Sequence, residues 1–379
     1  MILCCLLLAG CGVKSVPAET ALPPLPETVP ATAPAVPETT VPETMPADPV
    51  RQMISDMSLE QRVGQLFLAR CNAETAIQDI RQYHLGGLVL FGEDFENQSM
   101  ESMRQTIAGY QDAAEKPLLI AVDEEGGDVT RVSRYSHFRD RRFSSLRKRY
   151  DLGGPEAVLA EEDEKCRLLS DLGINVNLGP VCDITTDSRA FMYSRSLGLS
   201  PEDTATAIAA MVQTMNRHQV GSVLKHFPGY GNNTDTHVGI AVDTRSLEEL
   251  KTRDLVPFAA GIQANCGAIL MSHTVVTALD PKFPVSLSLP AHRYLRQKMG
   301  FDGVIVTDDL VMGAITKQYG AEEAAVLAVL AGNDLLCSSE YALQYRAVLE
   351  AVQSGRIPQA ILDAAVCRVL QWKHTLGLL

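Results

Sequence analysis

The chain has 379 residues, 46% of them hydrophobic, enough to bury one large core or those of two to three ordinary domains. Thirty-three Lys and Arg against 46 Asp and Glu leave a formal charge of −13, which argues against nucleic acid as a partner. Nine cysteines show no C-x-x-C and no paired Cys/His spacing, so the sequence predicts neither a redox motif nor a zinc site.

The first eleven residues, MILCCLLLAGC, form an apolar run too short to span a bilayer but of signal-peptide length. Its end, Leu8-Ala9-Gly10-Cys11, resembles the lipobox of bacterial lipoproteins. That resemblance implies lipidation at Cys11 and an extracytoplasmic protein anchored to the cell membrane. Residues 12–48 are rich in Pro, Thr, Ala and Glu, with a loose repeat in VPETT and VPETM. Such composition buries too little surface to offset ordering entropy, so a disordered tether is expected. Residues 49–379 are read as the folded domain.

From Pro49 onward the pattern is one βα repeat. Ser58-Leu59-Glu60-Gln61 has capping-box spacing and predicts a helix start. Eight short apolar runs follow: Gln65–Arg70, Gly87–Phe91, Leu118–Val122, Ile174–Leu178, Gly221–Lys225, Ala268–Ser272, Gly303–Thr307 and Asp334–Cys337. Unbroken runs of Val, Ile and Leu mark parallel strands covered on both faces. Between them lie helical stretches such as Glu156–Leu172, Pro201–His218, Ser246–Ala264 and Gly320–Leu330. Eight βα units in one chain predict an α/β fold, a single (β/α)8 TIM-type barrel, with a doubly wound open sheet as the alternative.

A barrel places its site on the rim where strands end, and ionisable residues gather there. Strand three runs into Asp123-Glu124-Glu125-Gly126-Gly127, strand five into Lys225-His226, strand six into His273 and strand seven into Asp308-Asp309. Asp309 is also a natural helix cap, and Lys225-His226 a natural partner for rim carboxylates. The glycine-rich stretches lack P-loop or dinucleotide spacing, and there is no H-E-x-x-H, so no cofactor and no metal are expected. Asp235-Thr236-His237 puts a carboxylate and an imidazole on one side of an extended segment, a pair able to move protons. A strand-end carboxylate as nucleophile with such an acid/base unit supplies the parts for retaining glycoside cleavage.

KHFPGYGNNTDTH resembles the signature of glycoside hydrolase family 3, in its β-N-acetylhexosaminidase branch, where K-H-F-P-G-H-G is followed by D-S-H. AVDEEGGDVTR, LGINVNLGPVCDI, SRSLG and IVTDDL also resemble segments of that family. The resemblance implies a (β/α)8 barrel that removes terminal β-linked N-acetylglucosamine, for instance from peptidoglycan fragments such as muropeptides. It implies Asp308 as nucleophile, His237 as acid/base with Asp235 as its partner, and Asp123, Arg131, Arg195, Lys225 and His226 as sugar-binding residues. Tyr230 stands where the motif usually has His, and Asp128 replaces a common Arg. A β-glucosidase or phosphorylase of the same family, and a sugar-binding lipoprotein without catalysis, are the alternatives. A monomer is expected.

Overall fold

The computed structural model describes residues 49–185, 187–190, 192–231 and 241–379. The Cys11 leader, the tether and the Asp235-Thr236-His237 segment lie outside the described residues. Eight strands form one parallel sheet: β1 Phe67–Arg70, β2 Gly87–Leu90, β3 Leu119–Val122, β4 Val176–Asn177, β5 Gly221–Phe227, β6 Ala268–Met271, β7 Val304–Thr307 and β8 Leu336–Ser338. Neighbours in the sheet are neighbours in sequence, and β8 pairs with β1 through Phe67–Leu336 and Leu68–Cys337. A parallel bridge between Val306 and Leu335 joins β7 to the start of β8, so the ring is nearly closed. This is the (β/α)8 barrel expected from the strand count, and not an open doubly wound sheet.

Helices cover the outside of the ring: α1 Ala76–Tyr83, α2 Met100–Ala113, α3 Leu146–Leu172, α4 Pro201–Arg217, α5 Leu255–Gln263, α6 Leu289–Arg293, α7 Ala321–Ala331, α8 Tyr341–Gln353 and α9 Gln359–Thr375. Both halves of the capping box at Ser58 are made: Gln61 N–H donates to Ser58 Oγ, and Ser58 N–H donates to Gln61 Oε1. The barrel interior is filled by Leu68, Val89, Leu119, Val176, Val223, Leu270, Val304 and Val306, all buried, so it is a packed core and not a channel.

Trp372 of α9 joins this interior cluster at the N-terminal ends of the strands. A Cβ on Gly221 would sit 2.7 Å from the Trp372 ring, and one on Gly267 would sit 2.1 Å from its Nε1. Any side chain at either position therefore displaces the ring that fills that end of the barrel. With that end closed by packing, the opposite rim is where polar groups can face solvent.

Two helices differ from the sequence reading. The stretch read as starting at Glu156 extends back to Leu146, across a break at Gly153–Gly154 where the backbone leaves helical angles. The Ser246–Ala264 stretch divides into Leu247–Glu249, a π-turn over Leu250–Asp254, and α5. Pro257 has no N–H to give Arg253 and its ring crowds that carbonyl, and a widened turn just before it accommodates both effects.

Candidate active site

The rim at the strand C-termini carries a chain of alternating charges. Asp123, directly after β3, accepts from Lys225 Nζ at 2.6 Å, and Arg131 Nη2 lies 3.5 Å from its other oxygen. Lys225, in β5, also reaches Glu125 Oε1 at 2.7 Å. Glu125 in turn takes a bidentate fork from Arg195, at 2.9 and 2.6 Å. Arg195 Nη2 continues to His226 Nε2 at 3.3 Å. Thus five residues expected to bind sugar, Asp123, Arg131, Arg195, Lys225 and His226, form one connected cluster.

Burial and pairing set the charge states. Burial pushes the Asp123 carboxyl up, but Lys225 and Arg131 outweigh it and hold the group below the usual carboxylate range. Glu125 follows the same balance: burial raises it, and Lys225 and Arg195 pull it far down. Burial alone lowers Lys225, yet Asp123 and Glu125 together raise it above an ordinary lysine. Each charge is ionised because its neighbours are. The cluster is an array of fixed donors and acceptors in which charge-assisted bonds can meet sugar hydroxyls.

The glycines of the D-E-E-G-G stretch bend the chain. Gly126 and Gly127 hold φ of 109° and 65°, and a Cβ on Gly126 would lie 2.0 Å from the Ser144 carbonyl oxygen. Behind this turn, buried Glu124 accepts the backbone N–H groups of Arg131 and Val132, both at 2.8 Å, and the hydroxyl of Ser133 at 2.5 Å. That clamp returns the loop so that Arg131 faces Asp123.

Asp308 follows β7. Its N–H donates to Met271 O at 3.2 Å, and its Oδ1 accepts Asp309 N–H at 2.9 Å. Among the described residues Oδ2 has no hydrogen-bond partner, so that oxygen is available to a ligand. Asp309 plays a different part, because its carboxylate accepts Val311 N–H at 3.1 Å and Ser339 Oγ at 2.5 Å, tying the β7 loop to the β8 loop. His273 is fully buried between Ser286 Oγ at 2.7 Å and Asp309 O at 3.0 Å, a structural brace. Burial pushes the thiol of Cys337, in β8, well up, and the charges of Asp309, Asp308 and Asp123 push it further. Asp308 and Asp123 directly follow the C-terminal ends of β7 and β3 in one parallel ring, so both stand at the same mouth.

Asp183, five residues past Leu178, does not stand out from the sequence. It is buried, its Oδ2 accepts both the backbone N–H and ring Nδ1 of His226, at 3.1 and 2.8 Å, and its Oδ1 accepts Tyr230 N–H at 2.7 Å. With Arg195 donating to Nε2, the proton of neutral His226 belongs on Nδ1, pointed at Asp183. Glu125 likewise escapes notice as a partner, although it stands in D-E-E-G-G. The signal for both is the one used elsewhere, a carboxylate just past a strand end.

The described chain stops at Gly231 and resumes at Ala241, and both ends are held. Arg245 Nη2 donates to Gly229 O at 2.9 Å and also pairs with Asp243 and Asp254. Val275 N–H donates to Ala241 O at 2.9 Å, beside a short parallel pairing of Val242–Asp243 with Val275–Val276. Tyr230 is buried, edge-on to His226 with ring centres 5.2 Å apart.

Residues 58–372 match the Glycosyl hydrolase family 3 N terminal domain. A beta-hexosaminidase of Xanthomonas oryzae pv. oryzae is 35% identical over 307 residues, 77% of this chain and 88% of the relative. Among solved structures, a glycoside hydrolase family 3 beta-N-acetylglucosaminidase from Paenibacillus sp. is 32% identical with a TM-score of 0.80. That match covers 85% of this chain and 63% of the other, so the chain spans less than two thirds of that neighbour. The beta-N-acetylhexosaminidase of Beutenbergia cavernae gives 30% identity and a TM-score of 0.74, covering 84% of this chain and 99% of that one.

Proposed function

The chain belongs to glycosyl hydrolase family 3, and from that membership we propose that it is a retaining β-N-acetylhexosaminidase releasing terminal β-linked N-acetylglucosamine. The observation that carries the reading is Asp308, with an uncommitted Oδ2, at the same barrel mouth as the Asp123–Lys225–Glu125–Arg195–His226 array. The array holds the terminal sugar. An Asp308 oxygen attacks the anomeric carbon while the bond to the leaving oxygen breaks, and His237 gives that oxygen its proton. Water then attacks the glycosyl-enzyme, His237 takes the water's proton, Asp235 supports the imidazolium, and the Asp308 carboxylate is released.

Incubation with aryl glycosides tests this. The aryl β-N-acetylglucosaminide is expected to release its chromophore well ahead of the β-glucoside. The first sugar product should be the β-anomer, and phosphate should not alter the rate. Preference for the glucoside would make the chain a β-glucosidase, a sugar phosphate product would make it a phosphorylase, and no turnover would leave a sugar-binding protein.

The natural substrates in this reading are peptidoglycan fragments such as muropeptides, met outside the cytoplasm by a monomer tethered through lipid on Cys11. Support comes from the lipobox-like Leu8–Cys11 and the Pro-rich residues 12–48. Cys11→Ser should move the protein from the membrane to the soluble fraction with its activity on aryl glycosides intact. Undiminished membrane retention would overturn the anchor.

A further inference from the structure

Beyond β4 the chain runs on beside β5: Val181 bridges Lys225, and Cys182 N–H donates to Lys225 O at 2.7 Å. The next side chain, Asp183, is thereby delivered to the backbone and ring of His226. Asp183 is 1% exposed, and among the described residues no lysine or arginine pairs with it. A carboxylate buried without such a partner is costly unless hydrogen bonds hold it. Three N–H groups do so here, those of the His226 peptide, the His226 ring and the Tyr230 peptide.

The two oxygens divide the work. Oδ1 holds the turn after β5 through Tyr230, and Oδ2 holds the imidazole. With Nδ1–H committed to Asp183, Nε2 presents a lone pair, and Arg195 Nη2 lies 3.3 Å from it. Glu125 already engages Nε and one hydrogen of Nη2. The contact with Nε2 takes the other hydrogen of Nη2, so Glu125 and His226 together fix the plane of the guanidinium. Burial alone would lower Arg195, yet Glu125 first, and Asp183 from behind His226, raise it above an ordinary arginine. One ring thus carries the influence of Asp183 into the sugar array.

We propose that Asp183 is a positioning residue for the terminal sugar: its Oδ2 fixes the ring and tautomer of His226, and His226 in that state fixes Arg195. The proposal rests on the glycosidase reading above, in which His226 and Arg195 touch the sugar and Asp183 does not. A carboxylate that only ties down the turn would work through Oδ1 and Tyr230, and its loss would not need His226 to be felt. The two roles differ in which oxygen matters, and side chains of one size separate them. Leu and Asn both fill the place of Asp183, but only Asn keeps an acceptor. Two of the three donors lie on the His226 side, so the Asn carbonyl belongs there and its amide meets Tyr230 N–H alone.

The test uses the full chain and its variants D183L, D183N, H226A and D183L/H226A, with N-acetylglucosamine as the calorimetric probe. D183L should bind the sugar roughly 10- to 100-fold more weakly, and D183N should stay within about 5-fold of the parent. In turnover the D183L loss should sit in KM and be equal for nitrophenyl and dinitrophenyl leaving groups, because the array holds the sugar and not the leaving oxygen. On top of H226A, D183L should cost less than about 2-fold, since its route is already cut. The ¹⁵N spectrum of the parent imidazole, assigned by its absence from H226A, should place the proton on Nδ1. A proton on Nε2, equal losses in D183L and D183N, or additive losses in the double variant would overturn the proposal. Should D183L not fold, lost sugar affinity in D183N overturns it, and kept affinity with an Nδ1 proton sustains it. If the parent neither binds N-acetylglucosamine nor cleaves an aryl glycoside, the glycosidase reading fails instead, and the imidazole proton alone decides the hold of Asp183 on His226.

Discussion

Asp308→Asn should lose roughly 10⁴-fold or more in kcat/KM on every substrate, whatever its leaving group, because no covalent glycosyl-enzyme can form. At 1.36 kcal/mol per decade that is about 5 kcal/mol of transition-state stabilisation removed by one atom exchange. Fold stability should be nearly untouched. The Asn carbonyl oxygen can still accept Asp309 N–H, and the loop tie to Ser339 belongs to Asp309. Equal melting temperatures with lost turnover would therefore locate the defect in chemistry. In the parent protein a 5-fluoro glycosyl fluoride should leave a covalent adduct on the peptide containing Asp308. A variant that keeps a tenth of parental activity, or an adduct on another carboxylate, would remove Asp308 from the nucleophile's role.

The barrel was legible because a parallel strand buried on both faces must be apolar throughout, and eight such runs stood out. Boundaries moved where a turn claimed residues from the run. β4 shrinks to Val176–Asn177, where Asn177 lends its side chain to Glu124, and the chain beyond it stays beside β5, with Gly179 O accepting Val223 N–H and Val181 bridging Lys225. β5 runs past the predicted end at Lys225 to Phe227, because the ladder, irregular at Lys225-His226, resumes where Phe227 pairs with Met271.

The site was legible by residue type and less so by pairing. Asp123, Lys225, His226 and Arg195 could be named from motif positions, but nothing in the sequence says that Glu125 joins Lys225 to Arg195. That link needs the turn at Gly126-Gly127 and the position of Arg195, 70 residues away, together in space. Asp183 escaped for the same reason. Its role is to receive three N–H groups from β5 and the turn after it, which only tertiary structure reveals.

His237→Ala should separate the two steps that Asp308 serves jointly. Loss of leaving-group protonation costs about 10²–10⁴-fold on substrates with poor leaving groups. A dinitrophenyl glycoside departs without a proton, so its glycosylation step should be nearly spared. Water then meets a glycosyl-enzyme with no base to activate it, and the intermediate should accumulate as a burst followed by slow turnover. Azide needs no base. It should restore turnover and yield the β-configured glycosyl azide, since attack on an α-linked glycosyl-enzyme inverts the centre a second time. An α-azide would mean one displacement in total, hence an inverting enzyme with Asp308 in another role. Equal impairment on all leaving groups without azide rescue would make His237 a structural residue of the segment between Gly231 and Ala241. The anchoring of those two ends by Asp183, Arg245 and Val275 would then have to serve substrate binding alone.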